Sequence, residues 1–197
     1  MSSSVAKPPY RADHVGSLLR PEAVKKARHR HYDEKSMSAA ELKAIEDEAI
    51  KDAIRMQEEV GLPVVTDGEI RRAFWHYDFL DGLTGFDLEK REHGAHFGGT
   101  QVIPVHPVIN QRFDFPADHP HIEHFKFVAA NTKVMPKISI PGPSCAHFRT
   151  ALDDIRVPEY KDPDVMFEDL AKTYKKAVKA FYDAGCRYLQ MDDIFFA

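Results

Sequence analysis

The sequence predicts an α/β fold with a parallel sheet, and three observations carry this prediction. Two amphipathic helices are marked by end caps and by apolar residues at helical spacing. Each of these helices leads through a glycine into a short apolar strand. Polar or acidic residues follow the strands at their carboxyl ends, where α/β sheets and barrels carry their functional sites.

The two helices are defined by their caps. The first begins after Ser38, which pairs with Glu41 as a capping box, and ends at Gly61. The second begins at Asp162–Pro163 and ends at Gly185. The apolar spacing predicts buried faces made of Leu42, Ile45, Ala49, Ala53, Met56 and Val60 in the first helix, and of Phe167, Leu170, Tyr174, Val178 and Phe181 in the second.

Four strands are predicted, at about 11–15, 63–66, 137–140 and 187–191, the last of them buried. Residues 70–135 form a long insertion after the second strand, in which only "FKFVAANT" is strand-like, as part of a hairpin. This order favours a (β/α)8 TIM-barrel type, of which about half is present as four parallel strands. We therefore expect one partial barrel domain over residues 1–197.

Bulk properties exclude several classes of protein. With a net charge of −4 the chain has no surplus of basic residues for nucleic acid. Its apolar stretches are far shorter than the roughly 20 residues that cross a membrane, and the amino terminus lacks the apolar core of a signal peptide. A cytoplasmic protein is predicted, in which Cys145 and Cys186 are reduced, buried thiols.

Two strand ends carry residues suited to an amino acid. In "DHVGS", Gly16 permits close approach of the backbone to a ligand, and Ser17 offers amide and hydroxyl donors to a carboxylate. In "TDGE", Asp67 and Glu69 are suited to an ammonium group. The alternatives are an ordinary βα turn at Ser17 and a solvated ion pair of Glu69 with Arg71 or Arg72.

The last strand ends in "QMDD", with Asp192 and Asp193 at its tip. Paired carboxylates at the end of a parallel strand bind a cationic amine or act as a base. The alternative is that Asp193 caps a following helix.

The histidine-rich stretches "HGAH" and "HPHIEH" invite a metal interpretation. Neither has a zinc spacing such as HExxH, and Pro120 interrupts a helix through the second. We predict that these histidines are solvated loop residues.

The order of four segments resembles the catalytic barrel of cobalamin-independent methionine synthase, particularly its shorter single-barrel relatives. These segments are "RADHVGSLLRP", "VVTDGEIRRAFWHYDF", "KISIPGPS" and "GCRYLQMDD", and they agree over nearly the whole chain. The resemblance implies a zinc-dependent 5-methyltetrahydropteroyltriglutamate–homocysteine S-methyltransferase. In that reaction a methyl group moves from the methylated folate co-substrate to the homocysteine thiol and gives methionine.

The resemblance also implies roles for individual residues. Ser17 would hold the carboxylate of homocysteine, Glu69 and Asp192 its ammonium, and His14 and Asp67 would be further contacts. We expect Ser17, Glu69 and Asp192 to converge on one cleft, with the region of "PGPSCAHF" facing the folate. No catalytic residue is identified.

The zinc of the family is held by His, Cys, Glu and Cys from later strands. No metal ligand is therefore predicted in this chain, and Cys145 and Cys186 do not match those positions. Three interpretations stay open: the amino-terminal half of a methionine-synthase-like enzyme without activity by itself, a non-catalytic half-barrel that binds a partner or a small amino acid, or a related transferase acting on another thiol or on a corrinoid.

We expect a half-barrel of four strands to self-associate. Its two unpaired sheet edges and the uncovered inner face are templates for another chain. We expect a homo-oligomer, or a complex with a complementing carboxyl-terminal half, or poor solubility. Sedimentation at micromolar concentration tests this expectation, and a clean monomer of 22.4 kDa would contradict it.

Overall fold

The computed structural model of the chain describes residues 13–90, 96–97, 100–101 and 105–194. The helices are α1 (Glu22–Tyr32), α2 (Ala39–Glu59), α3 (Tyr77–Leu80), α4 (Pro120–Asn131), α5 (Ser144–Phe148) and α6 (Pro163–Asp183). The strands are β1 (Val64–Val65), β2 (Thr84–Lys90), β3 (His96–Phe97), β4 (Thr100–Gln101), β5 (Val105–Asp114), β6 (Met135–Pro136), β7 (Ile138–Pro141) and β8 (Leu189–Asp192). None of the helices within these ranges has the length and apolar character needed to cross a membrane.

The parallel strands follow the predicted order. β1 pairs in parallel with β6, and the pairing continues as the Lys137 amide donates to the Val65 carbonyl at 2.9 Å. β7 pairs with β8, and the Ile138 amide donates to the carbonyl of Tyr188 at 3.4 Å. An α/β fold with parallel strands is thereby confirmed, although the described strands do not close into a barrel.

The first predicted strand was wrong in its described part. Residues 13–20 contain no strand: the carbonyls of His14 and Gly16 accept from side chains, and the Leu18 amide donates to the Gly68 carbonyl in a turn. The prediction of a buried last strand was also too strong, since Met191 in β8 is 44% exposed.

The described residues group into two compact units. The first comprises residues up to Arg72, Glu123–Ile138 and Ala184–Leu189, and the second comprises Ala73–Ile122, Ser139–Asp183 and the residues from Gln190. The core of the first unit contains Val24, Ile50, Ala53, Ile54, Val65, Ile70 and Val128. Fully buried side chains of the second unit include Phe79, Phe86, Ile109, Ile140 and Phe181.

The helix caps were predicted correctly, but the buried faces were partly wrong. Ser38 and Glu41 form the capping box of α2, and Gly61 follows the helix with a left-handed φ of 83°. Four residues predicted to be buried are substantially exposed: Met56, Val60, Phe167 and Val178. Buried polar residues take part of each face instead, among them Glu46, Gln57, Asp169 and Thr173.

The segment "FKFVAANT" is helical, not a strand. It lies in α4, and the antiparallel hairpin of the insertion is formed by β2 and β5 instead. Pro120 does not interrupt this helix, because it occupies the first helical position, where no amide donor is required.

His119, predicted to be a solvated loop residue, is fully buried and caps α4. Its Nδ1 accepts from the His121 amide at 3.2 Å, while Nε2 lies 3.0 Å from the Phe79 carbonyl. Because a carbonyl can only accept, the proton belongs on Nε2, and burial lowers the pKa of the imidazole in keeping with this neutral form. The other stretch, "HGAH", has no described side chain.

Gln57 supplies a side-chain substitute for strand pairing at the end of β1. Its Oε1 accepts from the Thr66 amide at 3.0 Å, and its Nε2 donates to the Thr66 carbonyl at 2.9 Å. The same Nε2 donates to the Ala53 carbonyl at 3.0 Å within α2. One buried amide therefore satisfies both backbone groups of the residue that begins the "TDGE" turn.

Replacement of this amide should be costly. We expect Gln57→Met, which keeps the length but removes the hydrogen bonds, to lower the free energy of unfolding by about 2–4 kcal/mol, because two buried backbone groups lose their partner. The neighbouring exposed Met56 offers the matched control, since Met56→Gln should change stability by less than about 0.5 kcal/mol. Urea unfolding followed by circular dichroism measures both, and equal effects would contradict this account.

Candidate functional site

Two turns of the first unit that were predicted to bind substrate lie side by side. The Leu18 amide donates to the Gly68 carbonyl at 3.1 Å. Gly68 has a φ of 62°, and a Cβ placed there would come within 3.0 Å of Leu18 Cδ1. This close approach brings the segment that carries Ser17 against the turn that carries Glu69.

The turn from Thr66 to Glu69 is held by its own side chains. Thr66 Oγ1 accepts from the Gly68 amide at 3.0 Å, and Asp67 Oδ1 accepts from the Glu69 amide at 2.8 Å. Such Asx-type bonds favour tight turns. At least one oxygen of Asp67 therefore serves the turn itself.

Glu69 adopts an uncommon backbone conformation for a residue with a side chain. Its φ is 54°, directly after the left-handed Gly68, and only 7% of the residue is exposed. Its carboxylate forms an ion pair with Arg72. The partner anticipated from the sequence is therefore correct, but the pair lies in a buried turn and not in a solvated one.

Arg20 joins the two turns through its guanidinium. Nε donates to the Ile70 carbonyl at 3.0 Å, and Nη2 donates to the Glu69 carbonyl at 3.0 Å and to the Arg72 carbonyl. Three carbonyls of one turn are thus satisfied by one side chain from the other segment.

A buried cation holds the start of the described chain. Lys137 is 1% exposed, and its Nζ donates to Asp13 Oδ2 at 2.9 Å and to the His14 carbonyl at 2.8 Å. The Tyr188 hydroxyl donates to the same carboxylate oxygen, and Lys137 lies over the Tyr188 ring. Burial alone raises the pKa of Asp13, but the hydrogen bonds from Tyr188 and Lys137 outweigh it and lower the pKa below its ordinary value.

Ser17 and His14 lie in the turn that this cation supports. Ser17 is exposed, after Gly16 with a φ of 85°. His14 Nε2 lies 2.7 Å from the Gly16 carbonyl and donates to it.

The predicted acids at the end of β8 lie beside the loop after β7 in the second unit. The Gly142 amide donates to the Asp192 carbonyl at 2.7 Å, and Gln190 Nε2 donates to the Asp192 carboxylate. Ser144 Oγ donates to Asp193 Oδ1 at 2.7 Å. A Cβ at Gly142 would come within 2.5 Å of Asp193 Oδ2, so this close contact requires glycine.

A cavity of about 290 Å³ adjoins Asp193. It is mostly apolar and is lined by Pro143, Ser144, His147, Phe167, Leu170, Ala171 and Asp193. Nearby, burial together with the negative charge of Asp193 raises the pKa of Cys145 to about 11. Cys145 and Cys186 are free and buried, which confirms that pair of predictions.

The resemblance implies a zinc ion, which needs several His, Cys, Asp or Glu side chains close together. Among the described residues, no group of three or more His, Cys, Asp or Glu side chains is placed to hold a metal ion. These residues do not fit the four-ligand zinc site of the family, and we derive no step through zinc.

The sequence missed the residues that support the site. Arg20 and Lys137 each bond to partners far away in the chain, so the segments "RADHVGSLLRP" and "KISIPGPS" that contain them do not reveal these contacts. A charged residue at the edge of an apolar strand, as Lys137 is in "KISIP", was the one available signal. The convergence of Asp192 with Ser17 and Glu69 stays a prediction.

The described chain is an α/β protein with parallel strands and with acidic residues at or after the ends of β1 and β8. Residues 12–197 match the sequence profile of the cobalamin-independent synthase catalytic domain, and the chain belongs to this family.

Two curated relatives come from Bacillus subtilis, and both are uncharacterized. YxjH is 44% identical over 190 residues, covering 95% of this chain and 48% of the relative. YxjG is 44% identical over 193 residues, covering 97% and 50% respectively. The chain therefore spans about half the length of the curated relatives it matches.

Solved structures show the same fold. A candidate vitamin-B12-independent methionine synthase from Listeria monocytogenes matches with a TM-score of 0.79 and 40% identity, covering 95% of this chain and 53% of that one. A B12-independent methionine synthase from Shewanella sp. W3-18-1, in complex with selenomethionine, matches with a TM-score of 0.61 and 21% identity over 82% of this chain and 46% of that one.

The Lys137 cluster predicts a pH-dependent contribution to stability. Because the pKa of Asp13 is lowered from about 3.8, its contribution is fully present above that pH and is lost as the pH falls through the lowered value. We expect Lys137→Met to lower the free energy of unfolding by about 3 kcal/mol at neutral pH, since it leaves a mostly buried carboxylate without its cation. This difference from the wild type should narrow below about pH 4, where the carboxylate of the variant is protonated.

The control is the double variant Asp13→Asn/Lys137→Met. It removes both charges and should be more stable at neutral pH than Lys137→Met alone. Urea unfolding between pH 3 and pH 7 measures the free energies of unfolding. A difference between the wild type and Lys137→Met that does not change with pH would contradict a stabilising charge pair between Lys137 and Asp13.

Proposed function

We propose that this chain provides the homocysteine-anchoring part of a methyltransferase of the cobalamin-independent methionine synthase type. The observation that carries this proposal is the contact between the Ser17 segment and the buried, left-handed turn at Glu69. A family profile that covers nearly the whole chain supports it.

Each anchor has a chemical rationale. The backbone amide and hydroxyl of exposed Ser17 donate to the substrate carboxylate. The carboxylates of Glu69 and Asp192 accept from the substrate ammonium in charge-assisted hydrogen bonds. His14 and Asp67 are further contacts in the same two turns.

Methyl transfer itself needs more than the described residues offer. A zinc ion supplies Lewis acidity that lowers the pKa of a bound thiol, and no fitting ligand set occurs among the described side chains. We therefore propose that the chain by itself binds homocysteine without turnover. From the family we further propose that methylated folate is the co-substrate of the complete activity. A complementing carboxyl-terminal half would complete the site.

A second candidate is a non-catalytic module that binds a small amino acid, or a related transferase for another thiol. The lack of a metal-binding group among the described side chains favours the non-catalytic version. The pair of buried free cysteines supports a reducing, cytoplasmic location for either candidate.

Titration calorimetry with homocysteine tests the anchoring role. We expect Glu69→Gln to weaken homocysteine binding by about ten- to a hundredfold, because a charged hydrogen bond contributes about 1.5–3 kcal/mol. Glu59→Gln, at an exposed position of α2, is the matched control and should leave affinity unchanged.

Two results would contradict the proposal. One is the same affinity in the wild type and in Glu69→Gln, with folding verified by circular dichroism. The other is methionine production above background when the purified chain alone receives zinc, homocysteine and methylated folate, which would show that turnover needs no further ligands.

A further inference from the structure

Arg20 is the side chain that fixes one anchoring turn against the other. It lies three residues after Ser17, and it donates to the carbonyls of Glu69, Ile70 and Arg72. Leu18 lies between Ser17 and Arg20 in the chain, and its amide donates to the Gly68 carbonyl at 3.1 Å. The Ser17 segment and the Glu69 turn are therefore tied by one backbone bond and by one guanidinium.

The chemistry of this tie is specific to arginine. A guanidinium presents its donors in a rigid planar fork, so it fixes the directions of the carbonyls that it binds. Those carbonyls belong to a turn in which Glu69 has a φ of 54°. A residue other than glycine keeps a left-handed backbone conformation only where surrounding contacts hold it there. Arg20 is one such contact, because it bonds to the carbonyl of Glu69 itself.

We propose that Arg20 is a positioning residue that sets the spacing between the carboxylate donor at Ser17 and the ammonium acceptor at Glu69. This inference rests on the proposed function of these two anchors. A fixed spacing selects ligands that carry both groups on one carbon atom, which are α-amino acids. Arg20 thereby determines the substrate class without touching the ligand.

A purely structural role makes a different prediction. If Arg20 only stabilises the fold, its loss reduces the folded fraction and affects all ligands alike. If Arg20 sets the spacing, each anchor still binds its own group, and only the advantage of holding both groups at once is lost. The ratio of affinities for one-group and two-group ligands therefore separates the two roles.

The experiment compares three ligands by NMR titration at a pH near 7. Homocysteine carries both groups, 3-amino-1-propanethiol lacks the carboxylate, and 4-mercaptobutanoate lacks the ammonium. In Arg20→Met we expect the preference for homocysteine over either analogue to fall by about tenfold, equivalent to about 1.4 kcal/mol. The dissociation constants of the two analogues should stay within about twofold of their wild-type values.

Two further variants define the requirement. Arg20→Lys keeps the positive charge but not the fork, and we expect it to recover only part of the preference. Arg55→Met removes an exposed arginine of α2 whose side chain is 63% accessible, and it should behave as the wild type.

Amide hydrogen exchange provides a readout that needs no ligand. The Leu18 amide should exchange at least about tenfold faster in Arg20→Met, because its acceptor turn is no longer held, while amides in the middle of α2 should keep their protection. Unchanged Leu18 exchange together with an unchanged affinity ratio would overturn the inference. Parallel weakening of all three ligands, with a general loss of protection, would also overturn it in favour of a structural role.

Failure of the proposed function has a separate signature. If the wild type shows no preference for homocysteine over the two analogues, the assignment of Ser17 and Glu69 as substrate anchors is wrong. Exchange at Leu18 then decides the role of Arg20, because faster exchange in Arg20→Met supports its coupling of the two turns and unchanged exchange refutes it.

Discussion

The left-handed backbone at Gly68 and Glu69 is the constraint on which the candidate site depends. For a residue with a Cβ this conformation costs about 1–2 kcal/mol, so it needs compensation from its surroundings. Thr66, Asp67 and Arg20 all bond to backbone groups of this turn, and Gln57 bonds to both backbone groups of Thr66, where the turn begins. The result is that the buried residue Glu69 lies beside a segment whose Ser17 is exposed to solvent.

The buried charge of Lys137 likewise needs compensation from its surroundings. An ammonium that is 1% exposed, as in Lys137, is costly unless its donors are satisfied, and here a carboxylate and a carbonyl satisfy two of them. Both acceptors belong to the residues just before Gly16, in a stretch with no strand pairing of its own. Lys137, the residue between β6 and β7, thus holds this loop through its side chain. A hydrophobic residue at this position would leave Asp13 and the His14 carbonyl without this donor.

The sequence predicted what depends on local chemistry and missed what depends on distant partners. The capping box at Ser38, the proline start of α6 and the strands around Val64 and Ile138 follow from neighbouring residues, and they are confirmed. "FKFVAANT" has β-branched and aromatic residues, yet it forms a helix because Pro120 and buried His119 start one upstream. The contacts of Arg20 and Lys137 could not be predicted, since partners of these residues lie 49 and 124 positions away.

The paired acids at the two strand ends divide their work in the same way. Asp67 accepts from a backbone amide of its own turn, and Asp193 accepts from the Ser144 hydroxyl and packs on Gly142 in the loop after β7, so one acid of each pair contacts a loop. The other acid of each pair bonds to a flexible side chain, Glu69 to Arg72 and Asp192 to Gln190. A flexible partner can shift when a ligand cation arrives, whereas an acceptor that holds a turn cannot leave without loss of the turn. This asymmetry is a physical reason to assign ammonium binding to Glu69 and Asp192 before Asp67 and Asp193, and it is independent of family resemblance.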